Sequence, residues 1–269
     1  MGGLDKRSTI ISFSLQGKSL ERILPKKNIG SFGTYLEFNA RENRKKFLLL
    51  LKNNCHVLYF FVNRTFMIEL FEFALSGNCY KVRLLLSFLN LQYESQIVNG
   101  PEREHKSEAF IAKNPFGQVP VLKDGNIVLR DSHGILVYLA RAYGEEHWFP
   151  NDPAIAGEIV AWLSTAANEV SRGPSALRAH YLLGRPINLE ETKLVTETLL
   201  SILEKRLVAH NWLVSDSITI ADIAIYPYIA LGNQGKIDLW IYPNIRKWMY
   251  RIENLPHYLS MQGVQLQVL

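Results

Sequence analysis

The sequence predicts an α/β domain at residues 67–146 and an all-α domain at 153–263, both behind a basic extension at 1–66. Three observations carry this prediction. Strand-like and helix-like periods alternate from Met67 onward. A proline-containing stretch, "GEEHWFPNDP" (144–153), then separates them from a region with only the helical period. Before Met67 neither period is sustained, and clusters of like charge alternate with unplaced apolar runs.

The elements follow in order. "MIELFEF" (67–73) sets Ile68, Leu70 and Glu72 against Glu69, Phe71 and Phe73, the alternation of a strand. "NCYKVRLLLSFLN" (78–90) places Val82, Leu85, Leu86 and Leu89 on one face of a helix. "QYESQIV" (92–98) is a second strand, "SEAFIAK" (107–113) a short helix or turn, and "VPVL" (119–122) a third strand. Asp124-Gly125 is a hairpin signal leading into "NIVLR" (126–130) as the fourth. Ser132 is expected to cap "SHGILVYLARAY", whose Ile135, Leu136 and Leu139 share a face. The resulting order, β-α-β-α-β-β-α, is the thioredoxin-like arrangement.

Pro120 stands inside the third strand, where it can donate no ladder hydrogen bond. In this arrangement the Val119–Pro120 bond is expected to be cis, turning the Val119 N–H and C=O outward. An extended peptide could dock there as an added strand, although a proline that merely ends an edge strand reads the same locally. Helices are predicted at about 153–172, 190–210, 219–232 and 243–254. Within the third, Thr219 and Asp222 form a capping box with Ile218 and Ile223 as its staple.

Composition excludes several classes. At 48% apolar and 20% charged residues the chain is ordinary globular protein. Cys55 and Cys79 cannot make a disulfide framework, so a reducing, cytoplasmic setting is the default. The pI near 9.1 comes from the extension, which holds 12 Lys+Arg against 4 Asp+Glu, while the remainder holds 18 against 21. A mildly acidic body without a basic stripe does not suit nucleic acid. The longest apolar run, Phe47 to Val62, is interrupted by "KNNCH", so no membrane span is expected. "MGGLDKRS" has Lys6 where a myristoylation signal wants a hydroxyl. Met67, standing where patterning begins, is expected to be the initiator, which makes 1–66 upstream or disordered sequence; a basic targeting segment is the alternative.

From Met67 to about Gly263 the chain resembles the soluble glutathione transferases, nearest the phi and theta types and their bacterial relatives. The resemblance rests on "SGNCYKVR", "EHKSEAF", "NPFGQVPVL", "LRDSHGILVYLA" and "SITIADIAIYPY" in that order. Ser76, His105, Gln118 and Asp131 stand 29, 13 and 13 residues apart, as the family's site residues do. The resemblance implies a thioredoxin-like domain followed by a helical one, a homodimer, glutathione as co-substrate and no metal.

It also assigns roles. Asp131 would accept from the γ-glutamyl ammonium, and Ser132 with the amides opening its helix would hold the adjacent carboxylate. The family more often has Glu or Gln at the Asp131 position. His105 and Lys106 would pair with the glycine carboxylate. Val119, beside Pro120, would bond the cysteinyl unit, and Gln118 would reach the glycyl end. Ser76 replaces the first cysteine of the redox C-x-x-C and would donate to the glutathione sulfur, with Asn78 as a second polarising group. Trp162, Asn168 and Arg172 would line the electrophile pocket. Each has a plainer reading: Ser76 as a turn residue, Ser132 as a cap, "REHK" as a solvated loop, Cys79 and Trp162 as core. The implied activity is attack of glutathione thiolate on small hydrophobic electrophiles. A non-catalytic module of the same fold, and a thiol or peroxide reductase using Cys79, are the alternatives.

Overall fold

The computed structural model describes residues 67–268, together with the backbone of five strands upstream. Two compact units result, Met1–Thr65 and Phe66–Leu269. In the first, β1 (Ser8–Leu15) pairs with β2 (Lys18–Pro25), and β4 (Arg44–Leu51) lies between β3 (Phe32–Asn39) and β5 (Leu58–Val62), all antiparallel. No strand period is visible in the sequence here. A continuous apolar run such as Phe47 to Leu51 can enter a ladder without alternating, so the missing period did not mean missing strands. The expectations placed on residues 1–7 and on Cys55 lie outside the described residues.

The second unit opens with β6 (Ile68–Glu72), the strand that organises a four-stranded sheet of order β7-β6-β8-β9. Parallel to it runs β7 (Tyr93–Ile97), joined through α1 (Gly77–Phe88). On its other side β8 (Val121–Asp124) and β9 (Ile127–Arg130) form an antiparallel hairpin around Gly125, whose φ of 60° suits glycine. Ile68, Leu70 and Glu72 are buried on one face, as their alternation predicts. Leu70 pairs with Leu122 and joins the main core, while Phe71 pairs with Val121 toward the short helix α2 (Glu108–Ile111) and Phe110. Glu72 tolerates burial because Arg83 forms an ion pair with it and Ser95 Oγ donates to it at 2.6 Å.

Helix α3 (Ser132–Tyr143) closes this domain. Its cap is Asp131, not Ser132: Asp131 Oδ1 accepts from the His133 and Gly134 amides at 2.9 and 3.2 Å, at a φ of 70°. The shorter carboxylate is suited to an N-cap, and Ser132 becomes the first helical residue, 4% exposed.

The helical half is α4 (Pro153–Ala167), α5 (Glu169–Arg172), α6 (Pro174–Leu183), α7 (Leu189–Ala209), α8 (Ile220–Ala230) and α9 (Pro243–Glu253). The helix expected over 153–172 breaks at Asn168, and Gly173-Pro174 restarts the chain because Pro174 offers no amide to the preceding turn. Every residue of α8 is buried, and the helix packs on α1, α3 and α4. The Thr219–Asp222 capping box is present. Fully buried Asp222 also accepts from the Leu213 amide at 3.0 Å and from Trp248 Nε1 at 2.9 Å, so one carboxylate ties a loop, α8 and α9 together. Among the described residues no helix is long and apolar enough to cross a membrane.

Candidate active site

The site gathers around the first turn of α1. Ser76 is the N-cap, with φ −78° and ψ 122°, and its Oγ accepts the Cys79 amide at 3.3 Å. An oxygen that accepts from the helix can still donate its own O–H, and the buried Cys79 thiol is one acceptor within its reach. Ser76 itself is half-buried. The partial positive charge of the helix N-terminus adds to it.

Cys79 differs. It is fully buried, and burial pushes its thiol up to about 11, against the lowering effect of its Ser76 and Phe73 hydrogen bonds. A thiol that is neither exposed nor ionised is a poor nucleophile. The core reading of Cys79 therefore fits its surroundings.

The helical half supplies three groups that the sequence did not suggest. Tyr228 of α8 places its hydroxyl against the Asn78 backbone N–H and the Ser175 hydroxyl, and burial raises its pKa. Its ring lies over Gly77: a Cβ there would sit 2.7 Å from Tyr228 Cζ. Arg178 of α6 comes close to Tyr228, bonds Gln234 Oε1 through Nε at 2.6 Å, and keeps a buried Nη2 without a hydrogen-bond partner. These contacts join segments about 50 to 150 residues apart, which no local period can reveal. The one local clue was the small Gly77 at a helix start. Gly77→Ala is expected to destabilise the protein by about 1–3 kcal/mol through overpacking against the Tyr228 ring. A thermal melt unchanged from the wild type would contradict that contact.

At the entry to β8, an inner strand, the Val119–Pro120 bond is cis, and Val119 lies just beyond the ladder, whose pairing ends at Phe71 opposite Val121. Asn114 braces this loop from inside: its Nδ2 donates to Gln118 O at 2.7 Å, and its Oδ1 accepts the Phe116 amide at 3.1 Å. The Gln118 side chain is exposed. Lys106 Nζ donates to Phe116 O at 3.0 Å, and Gly117, at φ 54°, allows the close approach to His105. The His105 ring stands edge-on to Phe73, with a buried Nδ1 that has no partner. Desolvation, then Lys106 and Arg103, hold its pKa below the usual histidine value. The cationic surroundings fit an incoming carboxylate, which would reverse that shift.

At the opposite end, Asp131 and Ser132 stand together at the start of α3, and Asp131 is half exposed. The three residues expected to line an electrophile pocket stand on α4, at its C-terminal cap and on α5. Trp162 packs partly buried against the main core, Asn168 Nδ2 bonds Glu169 Oε1 at 2.8 Å, and Arg172 pairs with Glu191 on α7 at 2.7 Å.

Known proteins share this fold. Residues 70–147 match the family model for the glutathione S-transferase N-terminal domain, and 188–256 match that for the C-terminal domain. The chain is 30% identical over 199 residues to glutathione S-transferase GstB of Escherichia coli K12, covering 71% of this chain and 95% of that one. A glutathione S-transferase structure from Pseudomonas fluorescens Pf-5 superposes with a TM-score of 0.68 at 31% identity, over 73% of this chain and 99% of the other. A glutathione transferase homologue from Drosophila mojavensis, solved with bound glutathione, gives 0.65 at 27% identity, over 71% and 89%. A serine-capped first helix, a cis-proline at the entry to β8 and matches to both family domains lead to one conclusion: the chain belongs to the glutathione S-transferase family and is a glutathione transferase, a thioredoxin-like domain followed by a helical one.

Proposed function

We propose that glutathione lies extended beside Val119 and Pro120, with its sulfur over Ser76. The glycine carboxylate is taken by His105 and Lys106, the glycyl end by Gln118, and the γ-glutamyl group by Asp131 and Ser132. The observation that carries this reading is the Ser76 hydroxyl at the start of α1, which accepts a helix amide and still has a proton to donate. A free thiol has a pKa of ~8.5, and lowering it by ~2 units requires ~2.7 kcal/mol of preferential thiolate stabilisation. One hydrogen bond to a charged acceptor supplies ~1.5–3 kcal/mol, with the helix terminus adding to it. The thiol proton leaves to solvent. The thiolate then attacks an electrophilic carbon, a C–S bond forms, and a leaving group departs with its electron pair, or an activated double bond takes up the charge.

The substrates in this reading are small hydrophobic electrophiles. Asn78 assists at the sulfur, and the pocket wall includes Trp162, Asn168 and Arg172. The chain works as a homodimer in the reducing cytoplasm, in detoxification chemistry that uses no metal. The reductase alternative gains no support from a thiol as buried as Cys79. Conjugation assays against a panel of halogenated and activated-alkene electrophiles test the proposal. Cys79→Ser is expected to retain activity within about twofold of wild type, since the serine conserves size at a buried position. Abolition of turnover by Cys79→Ser would instead favour the disulfide chemistry.

A further inference from the structure

Lys81, two residues beyond Cys79 in α1, is 1% exposed. Its Nζ lies 3.0 Å from His133 Nε2 on α3 and 5.5 Å from the centre of the Tyr228 ring on α8. His133 in turn faces Asp131: its Nδ1 is 4.0 Å from Asp131 Oδ1, the oxygen that also accepts the two α3 amides. A buried lysine is thus linked, through one imidazole, to the carboxylate at the mouth of the site. The groups facing Lys81 are His133 and Asp131 from α3 and Tyr228 from α8.

We propose that Lys81 is a positioning residue for glutathione, acting through the tautomer of His133 to hold Asp131 toward the γ-glutamyl ammonium. The inference rests on the placement of that ammonium at Asp131 made above. An ammonium only donates, so a neutral His133 must accept from it at Nε2 and carry its hydrogen on Nδ1, on the Asp131 side. If Lys81 loses its proton, the amine can accept as well as donate, so the His133 hydrogen is no longer confined to Nδ1, and the tautomer with its hydrogen on Nε2 turns the Nδ1 lone pair toward the carboxylate. The buried positive charge disappears at the same time. Both changes loosen Asp131.

The direction with pH follows from the surroundings. Burial pushes Lys81 down to about 7, opposed by the field of Asp131. Burial and then Lys81 hold His133 down to about 4, again opposed by Asp131, so the imidazole is neutral throughout the working range. Lys81 is protonated below its lowered value and neutral above it. The glutathione site is therefore tightest on the acid side and loosens as pH rises through about 7. Thiolate formation runs the other way, so KM for glutathione and kcat rise together across this interval.

Calorimetric titration from about pH 6 to pH 8.5 tests this, using glutathione and an analogue lacking the γ-glutamyl ammonium. In the wild type the glutathione Kd is expected to rise about tenfold across the range, while the analogue binds more weakly and with little pH dependence. Lys81→Met and His133→Gln are expected to bind glutathione with the weak, alkaline-side affinity at every pH. His133→Gln retains an acceptor for Lys81 but has no Nδ1, and it decides the matter if Lys81→Met fails to fold. A folded variant that keeps the wild-type pH dependence, while the analogue still binds poorly, overturns the role of Lys81 alone. If the wild type binds glutathione and the analogue equally well, the ammonium is not held at Asp131, and both readings fall.

Discussion

Replacing Ser76 by alanine is expected to lower kcat/KM for glutathione conjugation by about 10- to 100-fold at neutral pH, the worth of one hydrogen bond to a thiolate. The loss has a diagnostic form. With less stabilisation the bound thiol ionises later, so the rate–pH profile moves to the alkaline side and the variant partly recovers at high pH. A merely structural role predicts something else. Losing an N-cap costs about 1 kcal/mol of stability and leaves the Cys79 amide without its acceptor, but it does not move a titration. Equal loss at every pH, with a lowered melting temperature, would remove Ser76 from the chemistry. Ser76→Thr keeps both cap and hydroxyl and should return much of the rate.

Asp222→Ala is expected to have the largest effect on folding, about 4 kcal/mol or more in urea denaturation. Its carboxylate accepts from the amides of Leu213 and Thr219 and from Trp248 Nε1, all in the buried core. Removing it strands three donors, and each unsatisfied buried group costs about 1–3 kcal/mol. Against a total stability of about 5–15 kcal/mol, the variant would populate unfolded forms at physiological temperature. Asp222→Asn keeps an acceptor but brings two hydrogens into a set of donors, and should fall between alanine and wild type. A midpoint within about 1 kcal/mol of wild type for Asp222→Ala would mean that the network contributes shape rather than stability.

Much of this was legible because its causes are local. Alternation fixed which face of β6 is buried, including Glu72, and Asp124-Gly125 announced the hairpin. The capping box around Thr219 needed only its own four residues. Asp131 and Ser132 were harder: both are good caps, and only the backbone turn at φ 70° decides between them. The breaks at Asn168 and Gly173 interrupt an otherwise helical pattern, and only Pro174 signalled them. Lys81 carries no signal of its own in the sequence. It is buried because α1 is covered by both α3 and α8, which its own period cannot show. Tyr228 was missed for the same reason, its partners Gly77 and Asn78 lying across the boundary between the domains, and Ser175 and Arg178 because they meet it from about 50 residues away along the chain.

The seat of Tyr228 on Gly77 has a consequence for inheritance. The helix that begins at Ser76 is covered at its first turn by an aromatic residue contributed from the other half of the molecule. A chimaera joining this thioredoxin-like half to a relative's bundle would therefore arrive with that first turn uncovered unless a matching ring came with the graft. Recombination at the linker is then constrained by fit at one glycine, and the two halves are expected to diversify as a matched pair.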